Sequence, residues 1–543
     1  MTDQQGFLGR ITAISRAHAV ARFGKGGFGE TKEHDKGDPL PPRVGHLVRV
    51  QTPRSAIYGI VSALAISSTE DDGGPRSGSM DIDLIGEVVR ATDGPAAGFQ
   101  RGISTAPALG AAVTNATAED AEVVYATPSR PNIKIGKIHH ADDLTAHLLV
   151  DDLLNKHFAI LGTTGSGKSC AVTLFLRAIL DSYRRGHVIV LDPHDEYKSA
   201  FGEQAELIGI DNLQLPYWML IFDELKEILV SKSRDTRDSE IHVLKNALLK
   251  ARREHSENSD IKVHITVDTP VPFRLSALKR NIDEEMGALS KADSSAPFMR
   301  LLARLDSLST DPRYSFMFSG VMVRDILPDI MSRFLRLPVD GKPITIIDLS
   351  GVPGEVTDVV VSVLCRTIFD FCQWCEKKHQ VPVLLVCEEA HRYIPDRAEA
   401  GFEPTKKAIA RIAKEGRKYG VSLCLISQRP SELSTSILSQ CGTLVALRLS
   451  NEQDLAFVRA ALPEGASGLL AVLPALRSQE AVVVGEGVTV PVRVLLDTVP
   501  AEHLPSSSSA AFSTAWQRDA VVEDFVPQTV LRWRRQNRAG RKS

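Results

Sequence analysis

The chain has 543 residues, 43% of them apolar and 24% charged, with a formal net charge of −3. That length supplies more than one hydrophobic core, and the balance is that of folded globular domains, which excludes a disordered or fibrous chain. Near-neutral charge argues against a protein that coats nucleic acid by bulk positive charge, while a local basic surface, such as the channel of a ring, remains compatible with it.

No uncharged apolar run reaches the length of about 18 residues needed to cross a membrane, and the first residues lack the basic and then apolar layout of a secretory leader. A cytoplasmic protein with no membrane partner is expected. The seven cysteines are an odd number and several sit inside apolar runs, as reduced thiols do. Cys372 and Cys375 have metal-like spacing, but FDFCQWCEKK continues an apolar helical pattern and no matching second pair follows, so helix burial rather than zinc is expected.

Residues 1–115 hold short β-branched segments, FLGRITAIS, HLVRVQTP, AIYGIVSALAIS and MDIDLIGEVV, separated by turn residues. They predict a small all-β barrel or sandwich, with the barrel taken as the fold of this domain. Gly24–Gly29 and Asp71–Ser79 read as loops, and the first is no phosphate loop because no Lys-Ser/Thr pair completes it. Residues 116–147 read as a linker, with Asn115 to Pro131 as its tether.

From residue 148 the pattern becomes strand, loop, helix: HFAILG, TTGSGKS, then CAVTLFLRAILDSYRR with apolar positions three and four apart. Further buried runs recur at HVIVLD, ITIIDLS, VPVLLVCEE, VSLCLISQ and TLVALRL. Apolar on both faces and alternating with helices, they predict a mostly parallel sheet covered on both sides, an α/β fold. Residues 148–216 and 339–495 form its two parts. Between them, 217–338 reads as a mainly helical insertion with one extended piece at IKVHITVDTPVPF. Residues 496–543 read as a linker, SSSSAAFS, and a basic tail, LRWRRQNRAGRKS.

The strongest motif is Gly162, Thr163, Thr164, Gly165, Ser166, Gly167, Lys168, Ser169, with Cys170 following, which satisfies the Walker A pattern between a strand and a helix. The glycines let successive amides face a phosphate, Lys168 reaches the β- and γ-phosphates, and Ser169 offers a hydroxyl to magnesium. ATP with Mg2+ is therefore the expected cofactor. VLLVCEEAH, residues 383–391, is the matching Walker B run: Glu388 is expected to serve the metal and Glu389 to activate water. Asp192 and Glu196, after HVIVL, are expected near that metal, and Gln428, after VSLCLI, to sense the γ-phosphate. His194 and His391 read as polar neighbours of the site rather than a metal pair. The basic run Lys406, Lys407, Arg411, Lys414, Arg417 and Lys418 reads as a solvated face, with Arg417 the candidate arginine finger and Arg448 the next.

These pieces together, from LLVDDLLNKHFAILGTTGSGKS through DPHDEY, LPYWML, DPRYSFMF, LLVCEEAHRYIP and EGRKYG to SQRPSEL, resemble the HerA family of FtsK-like ATPases. The paired glutamates follow that family's pattern. The resemblance implies a HAS-barrel-like domain, a RecA-like P-loop core and a homo-hexameric ring that translocates or unwinds DNA, with Arg417 contacting a neighbour's nucleotide. It also implies a nuclease partner of the NurA kind, or a defence effector such as a sirtuin-like NAD-consuming protein. The rival readings are an ATP-gated ring that scaffolds an effector and a soluble ATPase that moves protein.

Overall fold

The computed structural model describes residues 6–23, 43–66, 78–90, 98–139, 141–231, 234–257, 264–288, 295–318, 323–397, 401–461, 467–506, 512–517 and 524–534. The expected loops at Gly24–Gly29 and most of Asp71–Ser79, much of the serine-rich stretch and the last residues of the basic tail lie outside them. The chain forms two compact units, residues 1–183 with 424–501, and residues 184–423 with 502–543.

The first unit begins with β1 (Phe7–Ser15), β2 (His18–Phe23), β3 (Leu47–Gln51), β4 (Ser55–Ile66), β5 (Gly78–Val89), β6 (Gln100–Arg101) and β7 (Ala112–Asn115). Their order is β2-β1-β7-β3-β4-β5-β6, and β2 pairs back onto β5, so the sheet closes into the expected barrel. Alternate residues point inward: Ala19, Ala21 and Phe23 of β2 meet Met80 and Ile82 of β5 in one buried cluster. Irregularities at Ile11/Ala13 and Val61/Ala63 bend the long strands enough to close it.

The stretch expected as a linker is structured. It holds α1 (Ala118–Val124), then β8 (Asn132–Ile138) paired antiparallel with β9 (Ala141–Leu149). Asp120, in the first turn of α1, closes a capping box with Thr117 and accepts from the Tyr58 hydroxyl at 2.6 Å, which ties the helix to the barrel. Burial works to raise the Asp120 carboxyl, but Tyr58, the Thr117 amide and the Arg49 guanidinium outweigh it and hold the group below its usual value.

The chain continues with α2 (Val150–Asn155), β10 (Phe158–Leu161), α3 (Lys168–Ser182), β11 (Val188–Asp192), α4 (Lys198–Phe201) and β12 (Ala205–Ile208). The insertion supplies α5 (Phe222–Leu229), α6 (Arg234–Glu257), α7 (Leu275–Gly287), α8 (Ala296–Thr310), α9 (Ser315–Phe318) and α10 (Leu327–Leu335). After it come β13 (Ile344–Asp348), α11 (Gly354–Trp374), β14 (Val383–Cys387), α12 (Glu403–Tyr419), β15 (Val421–Ser427), β16 (Thr443–Ala446), β17 (Glu480–Gly485) and β18 (Val492–Leu496).

In the first unit β10 lies parallel between β16 and the Cys424–Ser427 end of β15. Strands β17, β18, β8 and β9 extend from β16 in antiparallel fashion. In the second unit β12, β13, β11 and β14 are parallel in that order. Every residue of β10, β11, β14 and β15 is buried, as strands covered on both faces require. Among the described residues no helix is long and apolar enough to cross a membrane.

The insertion is helical as expected, but the described part of its extended piece, residues 264–273, contains no strand. Pro270 and Pro272 remove ladder donors there. The chain is instead pinned by side chains: the Tyr217 hydroxyl donates to the Phe273 carbonyl at 2.6 Å, and the fully buried Arg252 donates to the carbonyls of Thr269 and Leu220. Burial pushes the Arg252 guanidinium down to about 10.

Candidate nucleotide site

In the first unit β10 delivers the chain to the glycine loop and α3 begins at Lys168. Gly165 and Gly167 have φ of +74° and +98°, a region that side chains with a Cβ avoid. At Gly162 a Cβ would stand 2.6 Å from the Ser166 hydroxyl and 2.9 Å from Leu447, so that position is closed to anything larger. The loop is tied to its neighbours through its backbone: the Gly162 amide donates to the Ser427 carbonyl, and the Thr163 amide and hydroxyl both donate to the Arg448 carbonyl.

No side chain caps α3, so its first amides face the loop with the positive end of a 15-residue helix behind them. Lys168 is buried and its ammonium donates to the Thr163 carbonyl at 3.2 Å, which holds it folded over the loop. The Ser166 hydroxyl is buried without a hydrogen-bond partner. Ser169 and Cys170 are half-buried in the first turn of α3. A curled loop, a buried ammonium, uncapped helix amides and a hydroxyl in the first turn together fit a triphosphate with magnesium. Thr164 donates to Gln428 Oε1, so Gln428 sits beside this loop. Arg448 is half-buried and its carbonyl anchors its own chain's loop.

In the second unit the acids gather at the carboxyl ends of β11 and β14. Asp192 is fully buried, and its two oxygens accept from the amides of His194, at 3.1 Å, and Tyr197, at 3.0 Å. Burial raises its carboxyl, against the pull of these amides. Its first task is thus to order the loop that follows β11. Tyr197 is also fully buried, and its hydroxyl donates to Glu388 Oε2 at 2.8 Å. Burial, with Glu388 beside it, pushes the Tyr197 phenol well above its usual value, so it stays a donor.

Glu389 is 7% exposed and has a φ of +52°, which turns its side chain out of the direction a continuing strand would give. His391 Nδ1 lies 3.2 Å from its Oε2, and His194 Nε2 lies 3.7 Å from its Oε1. Oε2 is buried with no well-aligned donor, so the contact with His391 is one of close approach rather than a good hydrogen bond.

The basic run on α12 is only partly solvated. Lys406 pairs with Glu403, Lys407 with Asp223, and Arg411 with Asp370 at 3.0 Å while lying over the Phe369 ring. Lys414, Arg417 and Lys418 are exposed. Cys372 is buried in α11, Cys375 lies just past its end and donates to the His379 carbonyl, and among the described residues no group of three or more His, Cys, Asp or Glu is arranged to hold a metal.

Tyr197 and Leu447 carry parts of these sites that the motifs alone did not single out. Tyr197 follows the Asp192 loop but serves an acid 191 residues away, and no local pattern encodes such a partner.

A glycine loop that runs from a buried parallel strand into a helix, with its lysine and serine in the first turn, defines a P-loop ATPase. The family of the HerA helicase central domain matches residues 133–368. The DNA double-strand break repair helicase HerA of Sulfurisphaera tokodaii is 28% identical over 400 residues, 72% of this chain and 74% of that protein. HerA of Pyrococcus furiosus is 26% identical over 407 residues, 67% and 69% of the two chains. The structure of VirB4 from Thermoanaerobacter pseudethanolicus matches in fold, with a TM-score of 0.51 at 18% identity over 69% of this chain and 98% of that one. The chain is thus similar in sequence to HerA helicases and shares with that VirB4 structure the fold of a P-loop ATPase.

Proposed function

We propose that the chain is an ATP-driven DNA translocase or helicase that works as a hexameric ring. The observation that carries the hydrolytic part is Glu389: a buried carboxylate on a left-handed backbone, whose Oε2 has no aligned donor, is a group prepared to accept a proton from water. The DNA part is supported by similarity to repair helicases over 69% and 74% of their length.

In this reading Lys168 leaves the Thr163 carbonyl and takes the β- and γ-phosphates, while the loop amides from Thr163 to Cys170 cradle the chain of phosphates. Ser169 and Glu388 are the residues that would hold magnesium, which would supply neutralisation of phosphate charge. Tyr197 fixes the Glu388 carboxylate for that task, and Asp192 serves it by fixing the loop that carries Tyr197. Water attacks the γ-phosphorus in line, its proton passes to Glu389 Oε2, and the bond to the bridging oxygen of ADP breaks. Gln428, already bonded to Thr164, reports the γ-phosphate. Arg417, exposed near the end of α12, is the side chain free to reach a neighbouring subunit's nucleotide.

The sequence contains no nuclease motif, so cutting, where it accompanies this motor, comes from a partner nuclease or effector. ATP turnover measured with and without duplex DNA, together with the mass of the assembly, tests the proposal. Stimulation by DNA and a six-subunit mass are expected. Turnover indifferent to DNA in a stable monomer would overturn it.

A further inference from the structure

We infer that His391 and His194 are positioning residues that hold the Glu389 carboxylate between them in the orientation needed to take the proton of the attacking water. The inference rests on the reading of Glu389 as the base. A glutamate carboxylate at the end of a strand has several rotamers, and a base that is off by an ångström loses about two orders of magnitude in rate. Something must therefore select one rotamer. The two imidazoles do so from opposite oxygens, His391 Nδ1 at 3.2 Å from Oε2 and His194 Nε2 at 3.7 Å from Oε1.

Each ring is itself held by a different piece of chain. The left-handed φ of Glu389 starts a tight turn, Ala390–Arg392, in which the Arg392 amide returns to the Glu389 carbonyl at 2.9 Å. Tyr393 and Ile394 follow, both buried, and anchor that turn in the core, so His391 has little freedom and is 11% exposed. His194 sits in the loop ordered by Asp192, and this loop has a second restraint. Ser506, near the end of the chain, donates from its amide to the Glu196 carbonyl at 2.8 Å and from its hydroxyl to the Asp195 carbonyl at 2.7 Å. His194 is 42% exposed and farther from its oxygen, so His391 carries the larger share.

Because Oε2 keeps no aligned donor, the clamp leaves a lone pair for water. A bonded donor there would quench the base, so contact without an aligned hydrogen bond suits a residue that orients rather than reacts.

The test is steady-state ATP turnover and equilibrium ATP binding for the full-length protein and four variants. His391→Ala should lower kcat by about 10–100-fold and leave KM for ATP within about twofold, since the ring touches the base and not the nucleotide. His391→Asn, whose amide nitrogen stands where Nδ1 stood, should recover most of that loss. His194→Ala should lower kcat by roughly threefold to tenfold. Glu389→Gln separates the two readings. If it keeps full turnover, the base assignment itself fails. If it abolishes turnover while His391→Ala keeps a wild-type kcat, the positioning inference alone is overturned. A His391→Ala variant that loses ATP binding along with kcat, and is not rescued by Asn, would also overturn it by showing a merely structural role.

Discussion

Glu224 is the acid on which the attachment of the insertion depends, and its removal makes a sharp prediction. It is fully buried in the first turn of α5, where Oε1 accepts from Ser362 at 2.9 Å and Arg366 Nε at 3.0 Å, and Oε2 from Arg366 Nη2 at 3.1 Å and the Ile221 amide at 3.0 Å. Ser362 and Arg366 are one turn apart on α11, so a single carboxylate joins the insertion's first helix to the helix that leads into β14 and the paired glutamates. Glu224→Ala leaves the nearly buried Arg366 with Asp370 at 3.5 Å as its remaining acid. Breaking such a pair costs about 3–5 kcal/mol. For a folding unit of this size each kcal/mol is worth about 2–4 °C, so the unfolding midpoint should fall by roughly 6–20 °C. Scanning calorimetry or dye-monitored melting reads this directly. The double variant Glu224→Leu with Arg366→Met removes both charges and should recover most of the loss. A shift under about 2 °C in the single variant, or a double variant as unstable as the single one, would refute the reasoning.

Gly167→Ala places a Cβ at a φ of +98° and should weaken ATP binding at least about tenfold, with little change in the melting point of the rest of the chain, measured by titration of a fluorescent ATP analogue. Two carboxylates give opposite pH dependence. Burial raises Asp358 to about 6, against the attraction of Arg392, so the stability it allows is full below about pH 4 and is lost as pH rises through 6. Asp358→Asn should therefore stabilise the protein by about 1–2 kcal/mol at pH 8, discounted for partial exposure, and the gain should vanish near pH 4 in urea unfolding curves. Asp120 is held low, so its contribution is present above about pH 4 and lost as pH falls further. Asp120→Asn should cost about 1–3 kcal/mol at neutral pH and progressively less as pH falls below about 4.

The parts of the molecule that were legible in the sequence are those encoded locally. The glycine loop needs its residues at adjacent positions, so pattern and structure coincide from Gly162 to Ser169. The buried runs HFAILG, HVIVLD and VPVLLVCEE became strands because a parallel strand covered on both faces has no polar side to disguise it. Strands β8 and β9 were harder to see, since they form antiparallel pairs near the rim of the sheet and carry polar residues such as Lys134, Lys137 and His147 among the apolar ones. That mixture is what made 116–147 look like a linker. The Tyr217 to Phe273 bond and the clasp of Arg252 on loop carbonyls were illegible for another reason: they join residues whose proximity the fold alone creates. The basic face of α12 shows the same limit, since its charges were visible while the acids that pair with Lys407 and Arg411 lie on other helices.

ATP binding and turnover by the wild-type protein, Lys168→Ala and Glu389→Gln, each with magnesium, test the central claim most directly. The account requires that the wild type hydrolyse ATP, that Lys168→Ala lose binding and turnover together, and that Glu389→Gln bind ATP normally while its turnover falls by about two orders of magnitude or more. Undiminished hydrolysis in both variants would contradict it.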